Sequence, residues 1–180
     1  MTAMQPEDVT SKDPKNKVIV VDKNDNETGT CDKLKAHQFG FLHRAFSIIL
    51  FNSKGEMLIH QRAAKKYHTP GLWSNACCSH PRPGKNLEDE VQERMLKEIG
   101  IYAPVRKEFS FIYKEQVGNG LIEHELDHVF VGMTDEQPMP NPEEVQDVRF
   151  IHPSELKQEM SDHPERFTPW FHKIMEKGRF

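Results

Sequence analysis

Residues 121–132 restrict this chain more than any other stretch. Leu121 to Gly132 reads as a long strand, entered by a Gly118-Asn119-Gly120 turn and ending in the apolar run Val129-Phe130-Val131. Successive strand side chains point to opposite faces, so Glu123, Glu125 and Asp127 leave the sheet on the same side. Three carboxylates so placed repel one another. A divalent cation between them, a raised pKa that protonates one of them, or a face turned to water would each relieve the repulsion. Any fold for this chain has to supply one of the three.

The surrounding pattern supplies the rest of a sheet. Val18 to Val21 is a β-rich run that ends at Asn24-Asp25-Asn26. Ala45 to Phe51, apolar but for Ser47, is followed by Asn52-Ser53-Lys54-Gly55 and then Glu56 to Arg62, which predicts a β-hairpin turning at Gly55. Pro70-Gly71-Leu72-Trp73 breaks the pattern and starts a loop. Leu87, Val91, Met95 and Ile99 recur every four residues after a suitable N-cap, Asn86, and before a natural stop, Gly100, which predicts a helix with one buried face. Phe109, Phe111 and Tyr113 alternate as a strand that pairs with 121–132. Asp135 to Glu144, with three prolines, is a surface loop. A short strand over Asp147–Ile151, a helix over Pro153–Met160 and a last helix capped by Thr168-Pro169 and ending before Gly178 complete the chain. Strands on both sides of a central helix give an α/β (α+β) class with a mixed sheet.

A length of 180 residues suits one domain, expected over 17–180 behind a flexible N-terminal tail over 1–16. Leu, Ile, Val and Phe make up 42 of the 180 residues, enough for a modest core. A net charge of -4 excludes a chain-wide basic field, so neither nucleic acid nor an anionic membrane is an expected partner. No apolar run reaches the ~18 residues of a membrane span, and the polar start has no secretory signal, so a cytoplasmic protein is expected. The cysteines, Cys31, Cys77 and Cys78, are odd in number and two are adjacent, which points to free thiols in a reducing compartment.

The chemistry concentrates in a few places. His37, His43 and His80 join Glu123 and Glu125 as candidate donors, because imidazole mixed with carboxylate oxygen suits several divalent ions. None of the spacings is that of a common zinc motif. Cys78, two positions before His80 in a stretch read as a loop, is a candidate for acid/base or nucleophilic work, although two inert buried thiols would explain Cys77-Cys78 equally well. Lys33, Lys35, Arg62, Lys65, Lys66, Arg82 and Lys85 offer an anion site, or only scattered surface charge.

Taken together, Lys33-x3-His37, Leu42-His43-Arg44-Ala45-Phe46-Ser47, Gln61-Arg62-Ala63, Pro70-Gly71-Leu72-Trp73-Ser74-Asn75, Cys78-Ser79-His80-Pro81 and Glu123-x-Glu125 resemble the type I isopentenyl-diphosphate Δ-isomerases. The likeness runs from about Val18 to Trp170, with the pieces in the family's order. It implies a Nudix-like α/β/α sandwich. It implies that His37, His43, His80, Glu123 and Glu125 hold one divalent ion, Mn or Mg or else Zn. A Mg bound with the substrate diphosphate would reach Glu98. By the same resemblance Lys33, Arg62, Lys66, Ser79 and Arg94 bind the diphosphate, Cys78 and Glu125 are the acid and base, Tyr113 helps to orient the proton, and Trp170 faces the developing cation. The implied partner is a small prenyl diphosphate, bound by a monomer.

The departures matter as well. Against the Nudix box, the positions at Ser79, Lys85, Glu93, Arg94 and Lys97 do not match, and only Met95, Glu98, Gly100 and Ile101 fit. A Nudix-type diphosphate hydrolase is thus the weaker alternative, beside a metal-dependent binder without turnover. The resemblance leaves the roles of His124 and Asp127 open; His124 is expected in solvent or outside the ligand set. Cys77 is expected to pack in the fold, and His60, His68, His128, His152, His163 and His172 to have no catalytic role.

Overall fold

The computed structural model describes residues 16–66 and 68–180. Apart from Asn16, the expected tail over 1–16 lies outside the described residues. The strands are β1 (Lys17–Val21), β2 (Glu27–Asp32), β3 (His43–Phe51), β4 (Met57–Arg62), β5 (Trp73–Asn75), β6 (Cys77–Ser79), β7 (Val105–Gln116), β8 (Ile122–Met133) and β9 (Val145–Ile151). The helices are α1 (Lys33–Phe39), α2 (Leu87–Ile99), α3 (Pro153–Asp162) and α4 (Pro169–Lys177).

All nine strands join one mixed sheet, which forks at β3 and β4. The expected hairpin exists at its turn, but β3 and β4 pair only at Phe51↔Met57 and then separate. Beyond that point β3 takes β8 as a parallel neighbour on one side and β6 as an antiparallel one on the other. β4 takes β9 and β5 instead. A long apolar run with two better partners has no reason to stay in a hairpin.

Each face of the sheet has its own apolar cluster. Ile48, Leu50, Leu58 and Phe130 face Val91, Met95 and Ile99 of α2, the four-residue stripe read from the sequence. Ile49, Met57, Ile59, Phe111 and Val129 face Leu156 and Met160 of α3 and Phe171 and Ile174 of α4. Alternation along β3 feeds both clusters, and the result is the expected α/β/α layering. Complete burial of one such side chain as Phe171 contributes about 1.5–3 kcal/mol. Helix α2 begins where Asn86 Oδ1 accepts from the Asp89 amide and ends at Gly100, φ 67°. A Cβ on Gly100 would lie 2.8 Å from the Met139 carbonyl oxygen, so both conformation and space require glycine there.

Four short elements depart from the sequence reading. β2, with sequence ETGTCD, and α1, with sequence KLKAHQF, show little apolar period because each buries only one or two residues. The stretch expected as a loop contains β5 and β6, three residues each and too short for any alternation to show.

Candidate active site

Cross-strand register assembles the site. β8 places Glu125 opposite His43 of β3 on one side and opposite Tyr113 of β7 on the other, so three chemically active side chains stand in one row. β6 pairs Cys78 with Ser47 and Ser79 with Phe46, which brings His80, the next residue, to the same row. Short as it is, α1 is fixed at both ends: Asp32 accepts from the Leu34 and Lys35 amides, and Gly40 closes it in the left-handed conformation. His37 therefore points inward at a defined height. His124, half-buried, reinforces this with Nδ1 2.8 Å from the Gly40 carbonyl oxygen, tying β8 to the end of α1.

Donor atoms of His37, His43, His80, Glu123 and Glu125 all lie within 4.8 Å of one another. His37 Nδ1 donates to the Lys33 carbonyl at 2.6 Å and His43 Nδ1 to the Phe41 carbonyl at 2.8 Å. Those bonds fix the tautomer and leave each Nε2 lone pair directed at the carboxylates, 3.3 Å from Glu123 Oε2 and 3.5 Å from Glu125 Oε1 respectively. Two carboxylates and three imidazoles, two of them oriented by these bonds, fit a divalent cation within this span. Glu98 is not among the five: Arg94 Nε donates to its Oε1 at 2.6 Å, and the Cys77 thiol donates to its Oε2 at 3.2 Å.

Water does not relieve the repulsion on β8, since Glu123, Glu125 and Asp127 are 3%, 7% and 1% exposed. Asp127 accepts from Ser47 Oγ at 2.8 Å, and burial, reinforced by the Glu125 charge, pushes its carboxyl well above the usual range. Burial pushes Glu125 in the same direction, but its polar neighbours, the Tyr113 hydroxyl among them, outweigh it and hold the carboxyl at about 2. The Tyr113 hydroxyl donates to Glu125 Oε2 at 2.7 Å, and His80 Nε2 lies 2.7 Å from Oε1.

A cavity of about 620 Å³, its open mouth included, borders this row. Its lining contains Cys78, Glu125 and Tyr113, all six of Lys33, Arg62, Lys66, Ser79, Arg94 and Trp170, and the candidate ligands His80, Glu98 and Glu123. His37 and His43, fully buried, stand behind it. Burial pushes the Cys78 thiol up to about 12, so the sulfur is protonated. Burial likewise lowers the Lys33 ammonium. Arg62 donates to the carbonyls of His68 and Thr69 at 3.2 Å and lies 5.2 Å from the Trp170 ring centre. Trp170 is anchored by its own Nε1 to Ser74 Oγ at 2.9 Å.

Other sequence candidates fall outside. Lys35, Lys65 and Lys85 are exposed. Arg82 is bound by Glu90 and Glu93. Cys77 is buried as expected, and its thiol is pushed up. The sequence reading set His60 and His68 aside as without a catalytic role and gave none to Ser47 or Glu144, yet all four line the cavity. Glu144, in the loop before β9, pairs with Lys66 and, at 3.3 Å, with Arg94. His68 has its Nε2 3.1 Å from Glu123 Oε1 and an edge against Trp170, and burial lowers it to about 3. No spacing signal points to any of these four; only the meeting of β3, β4, the loop after β4 and the 134–144 segment brings them in.

The sequence pattern of the NUDIX domain matches residues 41–171. The isopentenyl-diphosphate Delta-isomerase of Pectobacterium atrosepticum is 45% identical over 158 residues, 88% of each chain. That of Burkholderia multivorans is 44% identical over 162 residues, 90% of this chain and 92% of the relative. Among solved structures, a protein of Deinococcus radiodurans covers 91% of this chain and 99% of its own, at a TM-score of 0.77 and 16% identity. The MutT protein of Methanosarcina mazei covers 76% of this chain and 91% of its own, at a TM-score of 0.62 and 15% identity. The two structures speak for the fold alone, whereas the sequence relatives share the length of the chain. The chain belongs to the NUDIX domain family and, within it, to the isopentenyl-diphosphate Delta-isomerases.

Proposed function

We propose that this protein moves the double bond of isopentenyl diphosphate to give dimethylallyl diphosphate, and the reverse, with Cys78 and Glu125 as its acid and base. The observation that carries the residue assignment is one cavity in which a protonated, half-buried thiol and an ionised buried carboxylate occur beside a cluster of cations. The reaction adds a proton to the terminal methylene carbon, leaves a tertiary cation, and removes a proton from the carbon nearer the diphosphate. Atoms balance, and no oxidant is needed. A thiol at about 12 is a weak acid, so the alkene has to be held close and dry for transfer to succeed. Tyr113 steadies Glu125 by its hydroxyl, and which of Cys78 and Glu125 gives the proton reverses with the direction of reaction. The indole face of Trp170 suits the cation that forms between the two transfers.

Lys33, Arg62, Lys66 and Arg94 are the diphosphate clamp in this reading, with Ser79 at its edge. Glu144, which pairs with Lys66 and Arg94, gives way when the more highly charged diphosphate arrives. His37, His43, His80, Glu123 and Glu125 would hold a divalent ion, Mn or Mg or Zn. A second, Mg, would enter with the diphosphate at Glu98. Such ions supply charge compensation that makes two buried carboxylates and a diphosphate compatible.

The test is incubation of the purified protein and Mg with isopentenyl diphosphate, followed by NMR. Appearance of the dimethylallyl signals is expected; release of inorganic phosphate without them would replace the reading by a hydrolase, and binding without turnover would replace it by a carrier.

A further inference from the structure

His68 follows β4 in the loop that leads to β5, and its ring is the point where three parts of the site meet. Its backbone carbonyl receives Arg62 Nη2 at 3.2 Å. Its ring edge stands against Trp170, with centroids 5.9 Å apart. Its Nε2 lies 3.1 Å from Glu123 Oε1, while the other oxygen of the same carboxylate, Oε2, lies 3.3 Å from His37 Nε2. The two oxygens of Glu123 are thus divided between two imidazoles.

The division has a chemical sense. An ionised carboxylate can only accept, so the 3.1 Å contact with Oε1 is favourable when the ring proton sits on His68 Nε2. Its Nδ1 is then an acceptor, and Thr69 Oγ1, 3.1 Å away, has a hydroxyl proton to give. The tautomer is opposite to that of His37 and His43, whose Nδ1 donates to a carbonyl and whose Nε2 lone pair faces the carboxylates. His68 also stands outside the five converging donors. Its ring is 6% exposed, so water competes little for the contact with Oε1.

We infer that His68 is a positioning residue: through the chain Thr69 hydroxyl, His68 ring, Glu123 Oε1 it fixes the rotamer of Glu123, so that Oε2 alone is turned to the divalent ion. The inference rests on the reading of the five donors as a metal site, and deepens it. Because the carbonyl of the same residue is held by Arg62, the diphosphate clamp and the metal cluster meet at His68.

Titration of metal-stripped protein with Mn(II) by calorimetry tests this. Wild type is expected to bind, His68→Ala to bind about 10–100-fold more weakly, and His68→Gln, whose amide nitrogen reaches the place of Nε2, to recover most of the loss. Rescue by Gln separates a hydrogen-bond role from mere filling of space. In addition, ¹⁵N spectra of the metal-free wild type are expected to show the Nε2–H tautomer at His68. Wild-type affinity in His68→Ala, or the Nδ1–H tautomer, would overturn the inference while leaving the metal site intact. If His68→Ala does not fold, a His68→Gln protein as weak as wild type is strong, together with the wrong tautomer, would overturn it as well. No Mn(II) binding by wild type would remove both the inference and the metal reading.

Discussion

The hydroxyl of Tyr113 donates to Glu125 Oε2 at 2.7 Å, from the position directly opposite on the neighbouring antiparallel strand. Both groups are buried, so no water stands ready to replace the bond. Tyr113→Phe should therefore keep the fold and its metal content while kcat falls about 10–100-fold, the range expected when a hydrogen bond to a buried charge is lost. Steady-state rates alongside metal analysis would decide. Unchanged kcat in a folded variant would remove Tyr113 from the acid/base apparatus.

Cys77 and Cys78 are adjacent on β6 and face opposite sides of the sheet. Cys78 lines the cavity; Cys77 belongs to the α2-side core and donates to Glu98. Cys78→Ala should abolish turnover, with a loss beyond the ~10²–10⁴-fold typical of one acid/base group. Cys77→Ala should cost on the order of 1 kcal/mol of stability and leave most of the rate. Urea unfolding and isomerisation assays on both proteins check the pair, and an active Cys78→Ala would reverse the assignment.

Beside its proposed duty toward substrate, Arg62 has a structural one toward His68 and Thr69. Its guanidinium holds the His68 and Thr69 carbonyls and covers Trp170. Arg62→Ala should raise KM and also lower kcat, because the wall that orients the alkene loosens with it. Arg62→Lys should recover little, since an ammonium lacks the planar fork that makes both carbonyl bonds. Full recovery by Lys would show that charge alone is used.

On the far side of α2, Arg82 binds both oxygens of Glu90, which is 7% exposed. Burial alone would raise the Glu90 carboxyl, but the Arg82 bonds outweigh it and hold the group below its ordinary value of 4.5. A carboxyl lowered in the folded state stabilises above its unfolded value and loses that contribution as pH falls through the folded one. The stability gap between wild type and Glu90→Gln should be full above the ordinary value of 4.5 and close at more acid pH. Thermal melts of both proteins from pH 7 down to pH ~3 measure it. A gap that does not change with pH would show that the pair contributes through packing rather than charge.

The sequence made some elements plain because the physics that forms them is local. Asn86, Gly100 and the four-residue stripe between them define α2 without any tertiary information. The row of carboxylates on β8 was legible for the same reason, since the period of a strand is two. Other elements depend on neighbours far along the chain. β6 is a strand only because β3 offers it Ile48, Ser47 and Phe46. α1 buries little beyond Ala36 and His37, so its inward face carries a histidine where a pattern would seek leucine. The five donors lie on α1, β3, β8 and the residue after β6, and a resemblance to known proteins could point to them where spacing could not. His68 and Glu144 gave no sign at all, being ordinary polar residues in loops whose path the sheet decides.

The row His43, Glu125, Tyr113 spans three strands and exists only in one pairing of them. If β8 lost one residue upstream of Glu123 and slid along β3 to compensate, His124, Leu126 and His128 would take the places of Glu123, Glu125 and Asp127. Two of the five converging donors, one of them the proposed base, would leave the site together, and three acids would turn toward the opposite layer. Length changes in this strand are therefore all-or-nothing: the turn at 118–120 can absorb them, whereas an insertion or deletion between that turn and residue 134 moves the whole row out of register.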